Sequence, residues 1–316
     1  MIDLQKYTVR LGTEKDAAII LELINVIQPE DSWSLEHFLW QYYTGTMNTM
    51  VYLIFHQNVL VSLYVAVPKR INIQGEIREG FMVQDVMTHP DYRGQGFLHY
   101  LSSLCTKAIL ERNEIAYTFP NKHSENSFRR NGWTELSKTP LRTMTVDSSE
   151  KSHNKEFAIE PTAQFDERVD KIWNESGLQI GVQRDSSFLN WRYSRPATSY
   201  FRFYILKDKG FLILKLFNNG DKRILHVLDI VISKSATDYV PSVLTFIKQF
   251  ALKNGAALIT CWLDEAHCYA PVFDAFGFSL DLQNNRYVFV LAPEKDLKTF
   301  SSSNLWHLTQ GDSDVY

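Results

Sequence analysis

Three short stretches in the first half of this 316-residue chain return in the second half, in the same order and at nearly one spacing. FLWQYY (residues 38–43) has a counterpart in LNWRYS (189–194), VQDVMT (83–88) in VLDIVI (227–232), and RRNGW (129–133) in DAFGF (274–278). Trp191 stands 151 residues after Trp40, Asp229 144 after Asp85, and Gly277 145 after Gly132. Two copies of one arrangement leave this kind of trace, so the chain is expected to fold as two like domains. The length agrees, because a domain commonly takes about 150 residues.

Residue pattern gives the order of elements within the first copy. YTVRLG (7–12) reads as a strand, and TEKDAAIILELINVIQ (13–28) carries apolar residues at helical spacing behind a Thr13 N-cap. A second helix is expected from Ser34, closed by Gly45. Two β-rich runs over 49–67 join at 56–58 as a hairpin, and REGFMVQDVMTH (78–89) is a further strand. A helix over 96–114, a strand over 115–121, a short helix over 124–133 and a strand near 141–146 complete the copy. The charged, Ser-rich run 147–156 reads as a linker. The expected fold class is therefore α/β with mixed sheets, divided into a first domain over 1–148, a second over 157–295 and a C-terminal tail over 296–316.

Composition excludes several classes. Three cysteines, Cys105, Cys261 and Cys268, are too few for a disulfide framework and read as buried thiols of a reducing compartment. The first residues lack a basic stretch followed by an apolar core, and no run approaches the roughly 18 apolar residues of a membrane span, which points to the cytoplasm and to no membrane partner. A net charge of −3 offers no basic field for nucleic acid.

One feature occurs in a single copy. HPDYRGQGFLHYL (89–101) places an arginine and two glycines between a strand and a helix, whereas the second copy has VISKSATDYVPSVLTFI (231–247), with neither arginine nor glycine. A Walker loop needs a lysine after the last glycine, and none follows Gly96; a dinucleotide fingerprint needs a third glycine where His99 stands. The remaining reading is a turn whose backbone N–H groups, from Arg93 to Leu98, point inward at a pyrophosphate beside a helix N-terminus. Glycine suits it because a Cβ blocks close approach, and Arg93 adds charge.

VMTHPDYRGQGFLHYL followed by FPNKHSENSFRRNGW resembles the acetyl-CoA motif of the GNAT superfamily of N-acetyltransferases. The resemblance implies that Arg93, Gly94, Gln95, Gly96, Phe97 and Leu98 bind the coenzyme pyrophosphate, although Leu98 stands where Gly or Ala is usual. It implies that Val86, Met87 and Thr88 pair their main chain with pantetheine, that a backbone N–H of Met87 or Thr88 stabilises the developing oxyanion, and that Asn121 follows the next strand at the site. The family commonly has a Tyr as acid where this chain has Phe128, so water, Tyr117 or Ser124 is left to protonate the thiolate, or activity is lost. The motif covers residues 81–133. A weaker similarity, through FLNWRY and a GDSD tail, is to tandem GNAT proteins of bacterial surface polysaccharide clusters.

Amine attack on a thioester needs a base. Asp85 and Glu79, on the strand before the loop, are the catalytic candidates; Asp85 has a structural alternative, since Asp229 recurs in the copy without the loop. His89 and His123 read as surface or capping residues, and Cys261, His267 and Cys268 lack the spacing of a zinc site, so no metal is expected. Trp191, Arg192 and Tyr193 read either as core or as an acceptor wall in which Arg192 holds a phosphate or carboxylate. Asp312 and Asp314 in the tail read either as partners of an amine substrate or, as for most polar termini, as solvated. The expected function is transfer of acetyl from acetyl-CoA to a primary amine, an amino sugar or its nucleotide conjugate foremost, by a monomer or homodimer. The alternatives are a coenzyme-binding regulatory protein and an aminoacyl transferase of related fold.

Overall fold

The computed structural model describes residues 4–44, 49–147 and 158–316. Gly45 and residues 148–156 of the expected linker lie outside them. The chain divides into two compact units, and each takes pieces from both halves of the sequence: unit 1 comprises Met1–Ile71, Arg78–Ser137 and Tyr287–Ser301, and unit 2 comprises Asn72–Ile77, Lys138–Arg286 and Ser302–Tyr316.

In unit 1, β1 (Tyr7–Leu11) precedes α1 (Ala17–Ile27) and α2 (Leu35–Tyr42). Ser34 caps α2 by accepting from His37 N at 3.1 Å, which satisfies one of the helix's orphan donors. β2 (Met50–His56) and β3 (Val59–Ile73) form the expected hairpin, with His56 opposite Val59. β4 (Glu76–Thr88), α3 (Phe97–Glu111), β5 (Ile115–Thr118), α4 (Glu125–Arg130) and the start of β6 (Thr134–Thr145) follow. β1 and β2 run antiparallel, as do β2 and β3, whereas β4 and β5 run parallel.

The sheet buries both faces, so its strands read as apolar runs rather than alternating ones. Phe81, Val83, Phe97, Leu101, Cys105 and Phe128 form the core on the α3 side; Ile20, Leu23, Phe38, Tyr42, Leu53 and Met87 form the one under α1 and α2.

In unit 2 the elements are β7 (Ile159–Pro161), α5 (Arg168–Glu175), β8 (Ile180–Val182), α6 (Ser186–Arg192), β9 (Phe201–Ile205), β10 (Gly210–Asn219), β11 (Lys222–Ile232), α7 (Val240–Lys253), β12 (Leu258–Trp262), α8 (Ala270–Phe276) and β13 (Ser279–Leu291), then α9 (Glu294–Phe300). β11 and β12 run parallel, while β10 pairs antiparallel with both β9 and β11. Each unit is thus a mostly antiparallel mixed sheet flanked by helices, the expected α/β class.

The units do not follow the linear split at 148/157. β6, the last strand of the first half, pairs with β12 in unit 2 from Leu141↔Trp262 to Thr145↔Leu258. The end of β13, from the second half, pairs with β5 in unit 1 from Phe289↔Thr118 to Leu291↔Ala116. Each half lends its last strand to the other unit's sheet, and an edge strand's open hydrogen-bonding groups are met by pairing of either origin. The expected tail also divides: α9 belongs to unit 1 and Ser302–Tyr316 to unit 2.

The two units share a local irregularity. In β4, Phe81 and Val83 face the α3 side, as does Val86, while Met87 faces α1 and α2; the alternation slips by one residue at Gln84 and Asp85, where Asp85 takes φ of +50°. In β11 the register with β10 slips between Asp229 and Val227, so Leu228 is the extra residue. A bulge of this kind re-aims side chains. It turns Asp85 toward Tyr42, whose Oη donates to Asp85 Oδ2 at 2.7 Å, and Asp229 toward Tyr193, whose Oη donates to Asp229 Oδ2 at 3.2 Å.

Candidate active site

The loop after β4 has the geometry that its glycines require. Gly94 and Gly96 take φ of +78° and +85°, a left-handed region that any side chain enters only at a cost. Gly96 is the N-cap of α3. The N–H groups of Gly94, Gln95, Gly96, Phe97 and Leu98 meet no backbone acceptor among the described residues, as the first turn of a helix dictates. A Cβ on Gly94 would meet nothing within 4 Å, so the space over the loop is open. Five N–H groups without a backbone acceptor at a helix start, with Arg93 beside them, fit a pyrophosphate.

Neighbouring side chains hold this loop. Arg93 Nε donates to the Thr88 carbonyl at 3.2 Å, leaving its outer nitrogens toward solvent. Tyr7 on β1 donates from Oη to Gln95 Oε1 at 2.8 Å and sets its ring edge-on to Phe97. Tyr92 Oη and His56 Nδ1 lie 2.9 Å apart. Phe97 is buried and Leu98 packs on the same core, so the bulk of Leu98 turns inward rather than over the donors. Sequence reasoning missed Tyr7, whose signal was an aromatic residue in a short edge strand. His89 caps the turn, accepting from Asp91 N, as expected of it.

Beside the loop, the parallel ladder of β4 with β5 runs from Gly80↔Ile115 to Val83↔Thr118 and stops. Among the described residues, β5 offers no partner to residues 84–88, so Val86, Met87 and Thr88 lie past the end of the ladder, the position an extended pantetheine arm needs. Ser62 Oγ steadies that edge, donating to the Met87 carbonyl at 2.9 Å.

Asp85 sits at the head of this segment and is half-buried. Both Tyr42 Oη and Gln84 Nε2 reach its Oδ2, at 2.7 and 2.8 Å. Glu79 is exposed, six residues up the strand and roughly 20 Å away at about 3.3 Å per residue. The structure brings Asp85 to the end of the ladder and does not bring Glu79. Gln84 was not singled out: it is 5% exposed, and its Oε1 meets no hydrogen-bond partner.

Asn121 has a structural role of its own. Its Oδ1 accepts from His123 N at 3.0 Å and Ser124 N at 3.1 Å, so the side chain organises the turn into α4. Asn121→Ala should cost about 1 kcal/mol, the usual worth of a capping residue, in urea denaturation, with acetyl-CoA affinity little changed. Phe128 is buried between Trp133 and Tyr64 and is a core residue. Tyr117 is buried, and Ser124 Oγ is held by Asn121.

Trp191, Arg192 and Tyr193 end α6 in unit 2 and do not form a wall of open polar groups. Arg192 is 5% exposed; its Nε donates to the Gly311 carbonyl at 2.9 Å and its Nη2 to those of Ser313 and Tyr316 at 2.6 and 2.7 Å. Tyr193 is buried against Asp229, and the Trp191 ring lies tilted beside that of Phe188. Asp312 is buried as well, not solvated, with Arg184 Nη2 at 2.8 Å from its Oδ2. Burial alone would raise the Asp229 carboxyl; Arg184 and His307 outweigh it and hold the group below the usual carboxylate range. Cys105 and Cys261 are buried, whereas Cys268 is exposed. Among the described residues no group of three His, Cys, Asp or Glu converges as metal ligands do, and no helix is long and apolar enough to cross a membrane.

A mixed α/β unit with a glycine turn at a helix start and a parallel strand pair that ends at Val83 and Thr118 resembles acyl-CoA-dependent acetyltransferases. Residues 8–136 match the model of the acetyltransferase (GNAT) domain family. Solved structures share the fold. A conserved protein of unknown function from Enterococcus faecalis V583, titled a probable N-acyltransferase, aligns with TM-score 0.69 and 14% identity over 93% of this chain and 74% of its own. A GCN5-related N-acetyltransferase from Anabaena variabilis aligns with TM-score 0.69 and 16% identity over 90% and 72%. Saccharomyces cerevisiae N-myristoyltransferase, solved with bound myristoyl-CoA, aligns with TM-score 0.63 and 10% identity over 92% and 80%. No curated protein matches the sequence.

Proposed function

We propose that this chain transfers acetyl from acetyl-CoA to a primary amine, that unit 1 binds the coenzyme, and that unit 2 is a degenerate second copy of the same domain. The single observation that carries the reading is the row of orphan N–H groups from Gly94 to Leu98 beside the end of the β4–β5 ladder. The shared bulge and Tyr–Asp pair of the two units support the tandem part. An amino sugar or its nucleotide conjugate, as in surface polysaccharide synthesis, is the acceptor class to try first.

Arg93 and the loop amides hold the pyrophosphate, and Val86 to Thr88 align pantetheine. The coenzyme supplies an activated thioester, and the amine must reach it neutral. Asp85 takes the amine proton, directly or through one water; its place beside Val86 and its left-handed backbone are the observations for that role. Phe128 has no proton to give, so water protonates the departing thiolate, and positioning of the two substrates carries much of the rate.

Thiol release from acetyl-CoA over a panel of amines tests the reading. Asp85→Asn keeps the Tyr42 bond, so its kcat/KM should fall by about a hundredfold or more and lose the acidic limb of the pH profile. An unchanged profile would leave Asp85 a structural residue like Asp229. Phe128 in the core favours one second reading, a regulatory protein that binds the coenzyme, and tight binding without turnover on any amine would select it.

A further inference from the structure

We infer that the segment from Trp306 to Ser313 is a resident peptide ligand of unit 2, seated on the sheet face that corresponds to the one on which Asp85 meets Tyr42 in unit 1. The inference rests on the tandem reading for that correspondence and on unit 2 alone for the seat.

The correspondence is set by the bulges. Gln84 and Asp85 project toward α2 in unit 1; Asp229, in the matching place, projects toward α6, beside Tyr193. In unit 2 this face is covered by the chain itself. Trp306 bridges to Ile180 of β8 in parallel, and His307 N donates to the Ile180 carbonyl at 2.7 Å. Gln310 Nε2 reaches Thr260 Oγ1 on β12 at 3.2 Å. Arg184 joins the two partners, donating from Nε to Asp229 Oδ2 at 3.0 Å and from Nη2 to Asp312 Oδ2 at 2.8 Å. Arg192 takes the carbonyls of Gly311 and Ser313.

The segment's chemistry suits a ligand better than a core strand. HLTQGDS is polar, yet His307 to Ser313 are all buried; Arg184, Arg192 and Thr260 meet several of its groups, while His307 Nε2 and Gln310 Oε1 find no hydrogen-bond partner. Gly311 is the point of closest approach: a Cβ there would lie 2.2 Å from Tyr193 Oη and 3.0 Å from the Leu228 carbonyl on the bulge. Tyr193 cannot swing away without giving up Asp229, and the carbonyl is backbone. The face is thus shaped for a Gly-Asp peptide with its carboxylate on Arg184, and no small-molecule acceptor can occupy it while the segment is seated.

The test uses the full chain. Gly311→Val should unseat the segment, so that hydrogen exchange of residues 308–313 accelerates at least tenfold while β11 stays protected. The variant should then bind a labelled synthetic peptide spanning residues 304–316, and the wild-type chain, with its face filled, should not. A peptide carrying Gly311→Val should fail to bind, and one carrying Asp312→Asn should bind on the order of tenfold more weakly, the worth of a buried charge-assisted bond. No uptake by a folded variant, or equal uptake by variant and wild type, overturns the proposal. Should the variant not fold, exchange in the wild-type chain decides: protection of 309–313 equal to β11 supports the seat, and exchange at the rate of an unstructured peptide refutes it. Peptide uptake does not depend on acetyl-CoA, so a failed amine panel and a failed seat are told apart.

Discussion

Replacing Gly96 with Trp weakens acetyl-CoA binding by more than about a hundredfold in isothermal titration, because two or more charge-assisted bonds to the pyrophosphate, each worth about 1.5–3 kcal/mol, are lost together. Gly96 holds φ of +85° at the start of α3, so any side chain there strains the turn that aims the N–H groups. An indole also adds bulk beside them. The backbone cost is about 1–2 kcal/mol, too little to unfold a domain of this size. Gly220→Trp is the control: it sits at φ of +59° in the β10–β11 turn of unit 2, with nothing within 4 Å of its Cβ, and carries the same backbone cost without touching the loop. Gly220→Trp should bind acetyl-CoA as the wild type does. Undiminished binding by Gly96→Trp would place the coenzyme elsewhere.

The loop was legible in the sequence because its requirements are local. Two glycines, an arginine and a helix start within a few residues fix a backbone shape and a charge, and nothing distant has to be known. The recurrence of Asp85 as Asp229 was legible as well, whereas the Tyr42 and Tyr193 hydroxyls that meet them came only with the structure. Domain limits were not, because β6 and β13 are chosen by long-range pairing, and a strand's own residues do not say which sheet it joins.

Polarity misled most in the last segment. Asp312 and its neighbours read as solvated because charge and exposure usually go together. Their burial depends on Arg184, 128 residues earlier, which no spacing argument could connect to them. Arg192 failed in the same direction, since an arginine that looks available for a phosphate is spent on backbone carbonyls. Asn121 and Phe128 show a milder limit: a motif position fixes where a residue falls, while its neighbours decide whether it caps a turn, packs a core or meets a ligand.

Arg184→Met should destabilise the chain by about 3–5 kcal/mol at pH 7, the cost of leaving a buried ion group without its partner. Arg184 is fully buried and spreads its guanidinium over Asp229, Asp312 and the Val182 carbonyl. Lysine offers one compact charge in place of that planar fork, so Arg184→Lys should recover only part of the loss. The buried group as a whole need not stabilise, because desolvation offsets attraction; Arg184→Met combined with Asp229→Leu and Asp312→Leu should therefore be more stable than Arg184→Met alone. The pH dependence separates this account from a simple loss of packing. In the wild type, Asp229 is held below its ordinary range, so its contribution is present at neutral pH and is lost only as acid takes the pH through the folded-state value. Without Arg184 the same burial raises the Asp229 carboxyl above its unfolded value, and the folded state then gains a proton that the unfolded state lacks. The deficit of Arg184→Met should shrink as pH falls from 7 toward 5, measured by urea midpoints at each pH. A deficit that stays constant across that range would mean that Arg184 acts through its volume and not through its charge.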